Sequence, residues 1–342
     1  MDITTRFRSV DKWLQNCVSD NNRSHMFCSQ RSIIEGYPSR LLKIDKAEIS
    51  GEVQLVDTKV WSDPKPEYTT LSHCWGSPDG PRPLETRIKN LREHETNIPM
   101  KSLPKTFRDA IEITLLVHQE FLWIDSLCII QDDKSDWEHE AALMAAIYGN
   151  SFLTIAATSS VDCEGGCGLE PWSLKVIEAT TTFPFRYDYR YQGGSRFDVK
   201  LKRSEPLERL WMSGTNMTSR PPLHTRGWVL QEAHLSRRIL HMVTRQMVWQ
   251  CQEEFDHEDN SVLFDGNHVP IPLKDVGFQW HRVDRDDLLG LHTNTEDNGL
   301  WWTTVKNYSQ MAFTYPGDRL PAFSGIIQFR AAIFNDIPLL GL

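Results

Sequence analysis

The chain has 342 residues, 46 acidic against 37 basic, and a formal charge of −9. That balance argues against a general nucleic-acid binder, because neutralising phosphates needs a basic surface. A hydrophobic content of 40% fits a globular protein with a sizeable core, and no apolar run in the sequence approaches the ~18 residues of a membrane span.

The N-terminus, MDITTRFRSVDKWLQ, lacks the apolar core of a signal peptide. With 7 thinly spread cysteines, an odd number, a reduced and cytoplasmic protein is the simplest account. Residues 1–38 read as a polar leader packed on the main domain. It holds Trp13, Cys17, His25 and Cys28. Two thiols and an imidazole could supply three zinc ligands, but the spacing matches no closed pattern and no fourth ligand is evident nearby. A small apolar cluster without metal is the expectation.

Arg40–Ile44 and Val53–Asp57 read as short strands flanking Gly51, and Tyr68–His73 as a better strand. Ser72, His73 and Cys74 crowd polar groups where that strand becomes a loop. A Cys beside a His invites a nucleophile. Adjacent strand residues point to opposite faces, however, so His73 does not activate Cys74, which reads better as a small buried hydrophobe. Leu103–His118 has helical spacing at Phe107, Ala110, Ile111, Thr114 and Leu115, with Pro104 in its first turn and a cap offered by Thr106 and Asp109.

Phe121–Ile130 is nearly continuous in apolar residues, as in a strand covered on both faces. Asp125 interrupts it, and Gln131, Asp132 and Asp133 follow at its carboxyl end, where ligands sit in open α/β sheets. Ser135 and Glu138 have capping-box spacing, which predicts a helix from Asp136. On its wheel Trp137, Ala141, Leu143, Met144, Ala145, Ile147 and Tyr148 form one apolar arc, and Glu140 falls inside it. A carboxylate there is paired, neutralised or needed at a site. Phe152–Ala157 closes the pattern as another strand, so strand and helix alternate as in a parallel sheet.

CEGGC at Cys163–Cys167 reads as a loop. Trp172–Leu223 is locally basic and tyrosine-rich, an anion site or more simply an exposed β-rich insertion. Thr225–Leu235 reads as a loop entering a helix, crowding Arg226, Trp228, Gln231 and Glu232 together. Arg226 at a helix start is placed against the dipole, which suggests an acid or ligand partner. Arg238–Met242 and Gln246–Cys251 read as a hairpin, Phe255–Thr295 as an acidic, loop-rich stretch, and Trp301–Ala312 and Gly317–Phe334 as helices. The apolar last residues suggest a fragment of a longer protein. No GxxxxGK, GxGxxG, HExxH or GxSxG occurs.

Taken together, YTTLSHCWG, LPKTFRDAI, FLWIDSLCIIQDDKSDW, EAALMAAIYGNSFLTIAA, RGWVLQEAHLSRRIL and YSQMAFTYPGDRLPAFSGI resemble the fungal heterokaryon-incompatibility (HET) domain family. The resemblance runs from about Ser39 onward and is weak over Trp172–Leu223 and Phe255–Gly299. His73 stands where the family often has Tyr.

The resemblance implies a cell-death effector in non-self recognition between fungal cells. More remotely it implies a TIR-like, flavodoxin-like α/β fold: a mostly parallel sheet flanked by helices, with β-hairpin and helical insertions. The core would span about 66–160, the insertion 172–224 and a C-terminal elaboration 225–342. Some TIR domains hydrolyse NAD with a helix glutamate three residues after a Trp, the spacing of Trp137 and Glu140. On that resemblance Glu140 is catalytic, and Ser72, Cys74, Trp75, Asp125, Asp132, Trp137 and Arg226 bind the nucleotide. NAD or NADP is the substrate, with no metal or other cofactor. The partners are a second copy or an upstream incompatibility receptor, with no nucleic acid and no membrane. The rival readings are a silent assembly module and a thiol enzyme using Cys74 or Cys128.

Overall fold

Strands β3 (Thr69–Ser72), β6 (Leu153–Ala156) and β7 (Arg238–Val243) are buried along their whole length. Such strands sit at the centre of a sheet covered on both faces. A computed structural model describes residues 3–19, 25, 28, 32–169, 221–243, 246–258 and 296–334. The sequence-based expectations for Trp172–Leu223 and Phe255–Thr295 fall mostly outside the described residues.

Around these strands lie β1 (Arg40–Lys43), β2 (Glu52–Asp57), β4 (Ile98–Pro99), β5 (Phe121–Trp123), β8 (Gln246–Cys251) and β9 (Phe255–His257). The described strands form one sheet in the order β4-β2-β1-β5-β3-β6-β7-β8-β9. Only β5–β3, β3–β6 and β6–β7 pair in parallel. The flanks are antiparallel. The mostly parallel sheet expected from the sequence is therefore a mixed one, because β2 and the β7–β8–β9 meander return by short connections that only antiparallel strands allow.

The described helices are α1 (Ile3–Val18), α2 (Ala47–Ser50), α3 (Leu91–Thr96), α4 (Lys105–Leu116), α5 (Asp125–Cys128), α6 (Lys134–Asn150), α7 (Gly227–Leu235), α8 (Glu296–Ser309) and α9 (Pro321–Phe334). Helices α6, α7 and α9 pack on one another. Among the described residues no helix is long and apolar enough to cross a membrane.

Helix α1 buries Phe7, Val10, Trp13, Leu14 and Cys17 at helical spacing. Trp13 stacks on Trp249 of β8, with ring centroids 6.0 Å apart, and its Nε1 donates to Asp256 Oδ2 at 2.7 Å. Arg6 closes the same junction through Glu258 at 2.8 Å.

Two local expectations change. The strand predicted over Phe121–Ile130 stops at Trp123, and Asp125–Cys128 forms a single helical turn. The Asp125 carboxylate bonds the Ser126 N–H at 2.7 Å, which favours a turn over an extended chain. Helix α6 starts at Lys134 rather than Asp136, because Asp133 Oδ1 accepts from the N–H groups of Ser135 and Asp136 at 3.0 and 3.2 Å.

Candidate functional site

In chain order the four parallel strands β3, β5, β6 and β7 lie 2-1-3-4, so the sheet reverses its build direction between β3 and β6. Crevices open at the carboxyl ends of strands at such a point. A cavity of about 900 Å³ lies there. Its wall takes Cys74 and Trp75 after β3, Asp125 after β5, Val161 after β6, and Arg226, Gly227, Trp228 and Glu232 at and within α7.

Of the residues singled out in the sequence, Cys74, Trp75, Asp125, Asp132, Trp137 and Arg226 all line this cavity. Trp75 Nε1 donates to Asp125 Oδ2 at 2.8 Å, which fixes ring and carboxylate to each other. The Arg82 guanidinium lies over the Trp75 ring, 5.4 Å from its centre. Trp137 and Trp228 meet edge to face at 6.5 Å. Arg226 Nη1 donates to the His73 carbonyl, and among the described residues its guanidinium forms no salt bridge. Asp132 is occupied at the rim, where Oδ1 accepts from the Ile88 N–H at 2.8 Å.

Ser72 stands behind the wall, and its Oγ donates to Glu232 Oε2 at 2.5 Å. Glu232 is the carboxylate that sequence reasoning named without assigning. It lines the cavity yet is only 4% exposed. Burial raises its pKa from 4.5 to about 7; the Arg226 charge and the Ser72 hydrogen bond oppose that rise. Its signal in the sequence was its spacing from Arg226 and Trp228 on a short helix, which carries no direction until the partners of α7 are known.

Glu140 does not join this set, and its placement as a carboxylate facing an open cleft is corrected. Trp137, Ala141 and Met144 turn toward the cavity. Glu140 is 0% exposed, and neither oxygen has a hydrogen-bond partner. Burial raises its pKa, with the Arg40 charge among the opposing influences. The Arg40 guanidinium itself is committed to Asp136 at 2.5 Å.

A buried, unsatisfied carboxyl is a cost. Glu140→Met is therefore expected to raise unfolding free energy by about 1–3 kcal/mol, read by urea denaturation. The sign with pH follows from the raised pKa. Below the ordinary glutamate pKa both states hold the proton; above it the unfolded chain loses the proton first and gains stability relative to the fold. The benefit of Met over Glu should thus be larger at pH 8 than at pH 4.

The thiols fit no nucleophile. Cys74 lines the cavity, but burial pushes it up to about 11, and fully buried Cys128 stands at about 12. His73 is buried, held down to about 4, and therefore neutral.

The last part of the wall comes from far along the chain. The segment 312–315, with Asp318, closes one side of the cavity. A bridge between Arg226 and Ala312 holds it, with the Gly227 N–H on the Ala312 carbonyl at 2.9 Å. Gly227 admits this contact: a Cβ there would lie 1.8 Å from Phe313 Cζ.

Near the leader, the expectation that Cys17, His25 and Cys28 have no fourth companion is also corrected. Cys251 Sγ lies 3.6 Å from His25 Nδ1, 226 residues on.

Residues 68–232 match the family described as heterokaryon incompatibility protein (HET). No curated protein and no solved structure matches the chain. The match contains Trp75, Asp125, Trp137, Arg226 and Glu232, while Phe313, Tyr315 and Asp318 lie beyond it.

Proposed function

From the HET domain that residues 68–232 form, with its role in heterokaryon incompatibility, we propose a cell-death effector that cleaves the nicotinamide–ribose bond of NAD or NADP. The observation that carries this reading is the cavity at the strand ends, whose lining brings together three indoles, three guanidinium groups and five carboxylates, Arg226, Asp125 and Glu232 among them. Its volume of about 900 Å³ is of the size that buries a small-molecule ligand. The parallel strand order 2-1-3-4 supports the TIR-like reading of the core.

The chemistry assigns each group a task. Trp75, Trp137 and Trp228 offer faces and edges for the two ring systems. Arg226, which forms no salt bridge among the described residues and whose charge acts on Glu232, suits the diphosphate. When the C1′–N bond breaks, its electron pair goes to the nicotinamide nitrogen, which leaves neutral and needs no strong acid. The ribose carbon becomes oxocarbenium-like, as in glycoside hydrolysis. An ionised Glu232 stabilises that charge, and Asp125, oriented by Trp75, adds to the field. Water then bonds to C1′ and gives its proton to Glu232. Glu232 thus takes the role that the sequence had assigned to Glu140.

The test is incubation of the purified protein with NAD and with NADP, following free nicotinamide and ADP-ribose. Release from the wild type, with saturation, is the expected result. Trp75→Ala is expected to lower kcat/KM by about 10–100-fold, through one lost stacking contact and a freed Asp125. No release in either nucleotide, together with cell death that tracks oligomer size, would replace the enzymatic reading with an assembly module.

A further inference from the structure

We propose that Cys17, His25, Cys28 and Cys251 bind one zinc ion, a structural site that fastens the leader to the sheet. The ligand atoms of the four residues all lie within 4.8 Å of one another. His25 Nδ1 is 3.6 Å from Cys28 Sγ and 3.6 Å from Cys251 Sγ. A tetrahedral zinc with its usual bond lengths has N···S edges of about 3.5 Å and S···S edges of about 3.8 Å, so a small contraction closes the shell. Cys17, His25 and Cys28 are buried and Cys251 is half-buried. Three thiolates and an imidazole are the soft donor set that selects zinc, and four protein ligands leave no open position for chemistry.

The surroundings complete what such a centre needs. His25 Nε2 lies 3.4 Å from Glu254 Oε2, the carboxylate contact that fixes the ring of a metal-bound histidine with Nδ1 toward the ion. The Glu254 N–H donates to Cys251 Sγ at 3.2 Å. Zinc with three thiolates and a neutral imidazole carries one negative charge, and a counter-charge is in place. Arg238 is 3% exposed, its Nε donates to Cys17 Sγ at 3.2 Å, and Nη2 donates to the Cys28 carbonyl at 2.9 Å. Among the described residues Arg238 has no carboxylate partner. A buried guanidinium is costly without an anion, and the thiolate centre supplies one.

Zinc here would join Cys17 of α1, His25 and Cys28 to Cys251 at the end of β8, beside the Trp13–Trp249 stack. Metal binding and docking of the leader are then one equilibrium. The test uses the full chain without a histidine tag, purified under reducing conditions. Elemental analysis is expected to find about one zinc per chain. Replacement by cobalt should give the visible bands of a tetrahedral centre and a sulfur-to-cobalt band in the near ultraviolet. Chelation should shift tryptophan emission as Trp13 leaves Trp249.

Cys251→Ser is expected to lose the zinc, and Cys163→Ser, at a buried thiol elsewhere, to keep it. If Cys251→Ser does not fold, Cys251→His decides. It keeps a four-donor set, so cobalt binds, with the sulfur band cut to about two thirds as two thiolates replace three. The proposal is overturned by a wild-type chain that binds neither metal after reduction, by full zinc in folded Cys251→Ser, or by a disulfide among the three thiols in the isolated protein.

Discussion

Glu232→Gln should slow nicotinamide release by about 10²–10³-fold, the usual loss when a preorganised group stops meeting developing charge. Gln keeps an oxygen for the Ser72 hydroxyl, so the wall of the cavity is retained, and KM should change far less than kcat. Glu140→Gln is the companion control, because that side chain lies outside the cavity.

The pH dependence separates this role from a structural one. With Glu232 at about 7, activity should rise as pH passes through 7 and the carboxylate ionises. Stability should move the opposite way. The folded pKa lies above the ordinary 4.5, so between about 4.5 and 7 the unfolded chain has released a proton that the fold still holds. The ligand-free protein should lose about 3 kcal/mol across that window, the equivalent of the gap between the two values. Glu232→Gln should flatten that loss while slowing release. A variant that kept the wild-type rate would remove Glu232 from the chemistry.

Asp136→Ala is expected to cost about 3–5 kcal/mol, measured by chemical denaturation, the range for breaking a largely buried ion pair. Asp136 Oδ2 accepts from the Ile130 N–H at 2.8 Å, and both oxygens meet Arg40 Nη2 at 2.5 Å. Arg40 Nε in turn donates to the Cys128 carbonyl at 2.8 Å. Removing one carboxylate leaves a poorly solvated guanidinium and an orphan N–H, and it frees the loop that carries Gln131, Asp132 and Lys134 into the cavity rim. Asp136→Asn keeps the acceptor for Ile130 and should cost less. Equal losses in the two variants would show that the charge contributes nothing.

The residues after β3 and β5 were legible because a polar side chain that interrupts an apolar strand is costly unless a partner or a site requires it. Ser72, Cys74, Trp75 and Asp125 gather where the alternation of strand and helix placed them. The wheel of α6 placed Glu140 on the inward face, where the structure has it, but the catalytic role came from the resemblance and not from the wheel. It shows that a side chain is turned inward, and an inward face includes both packed interior and cavity. Trp137 and Met144 reached the hollow, while Glu140 reached the start of β1. Glu232 had the better position, but α7 has too few turns to declare a face. The β5 strand was overdrawn because continuous apolarity describes a buried helical turn as well as a strand. Contributions from Phe313 and Cys251 were out of reach of local pattern, since each enters its cluster from a distant part of the chain.

The sheet terminates, among the described residues, in a two-residue strand at one side and a three-residue strand at the other. The first contains Pro99, which has no N–H to offer, and the second is anchored through Asp256 to Trp13. Neither border presents the long row of open peptide groups onto which another chain could zip. Among the described residues the two borders of the sheet therefore offer little backbone for templated growth of a cross-β fibre.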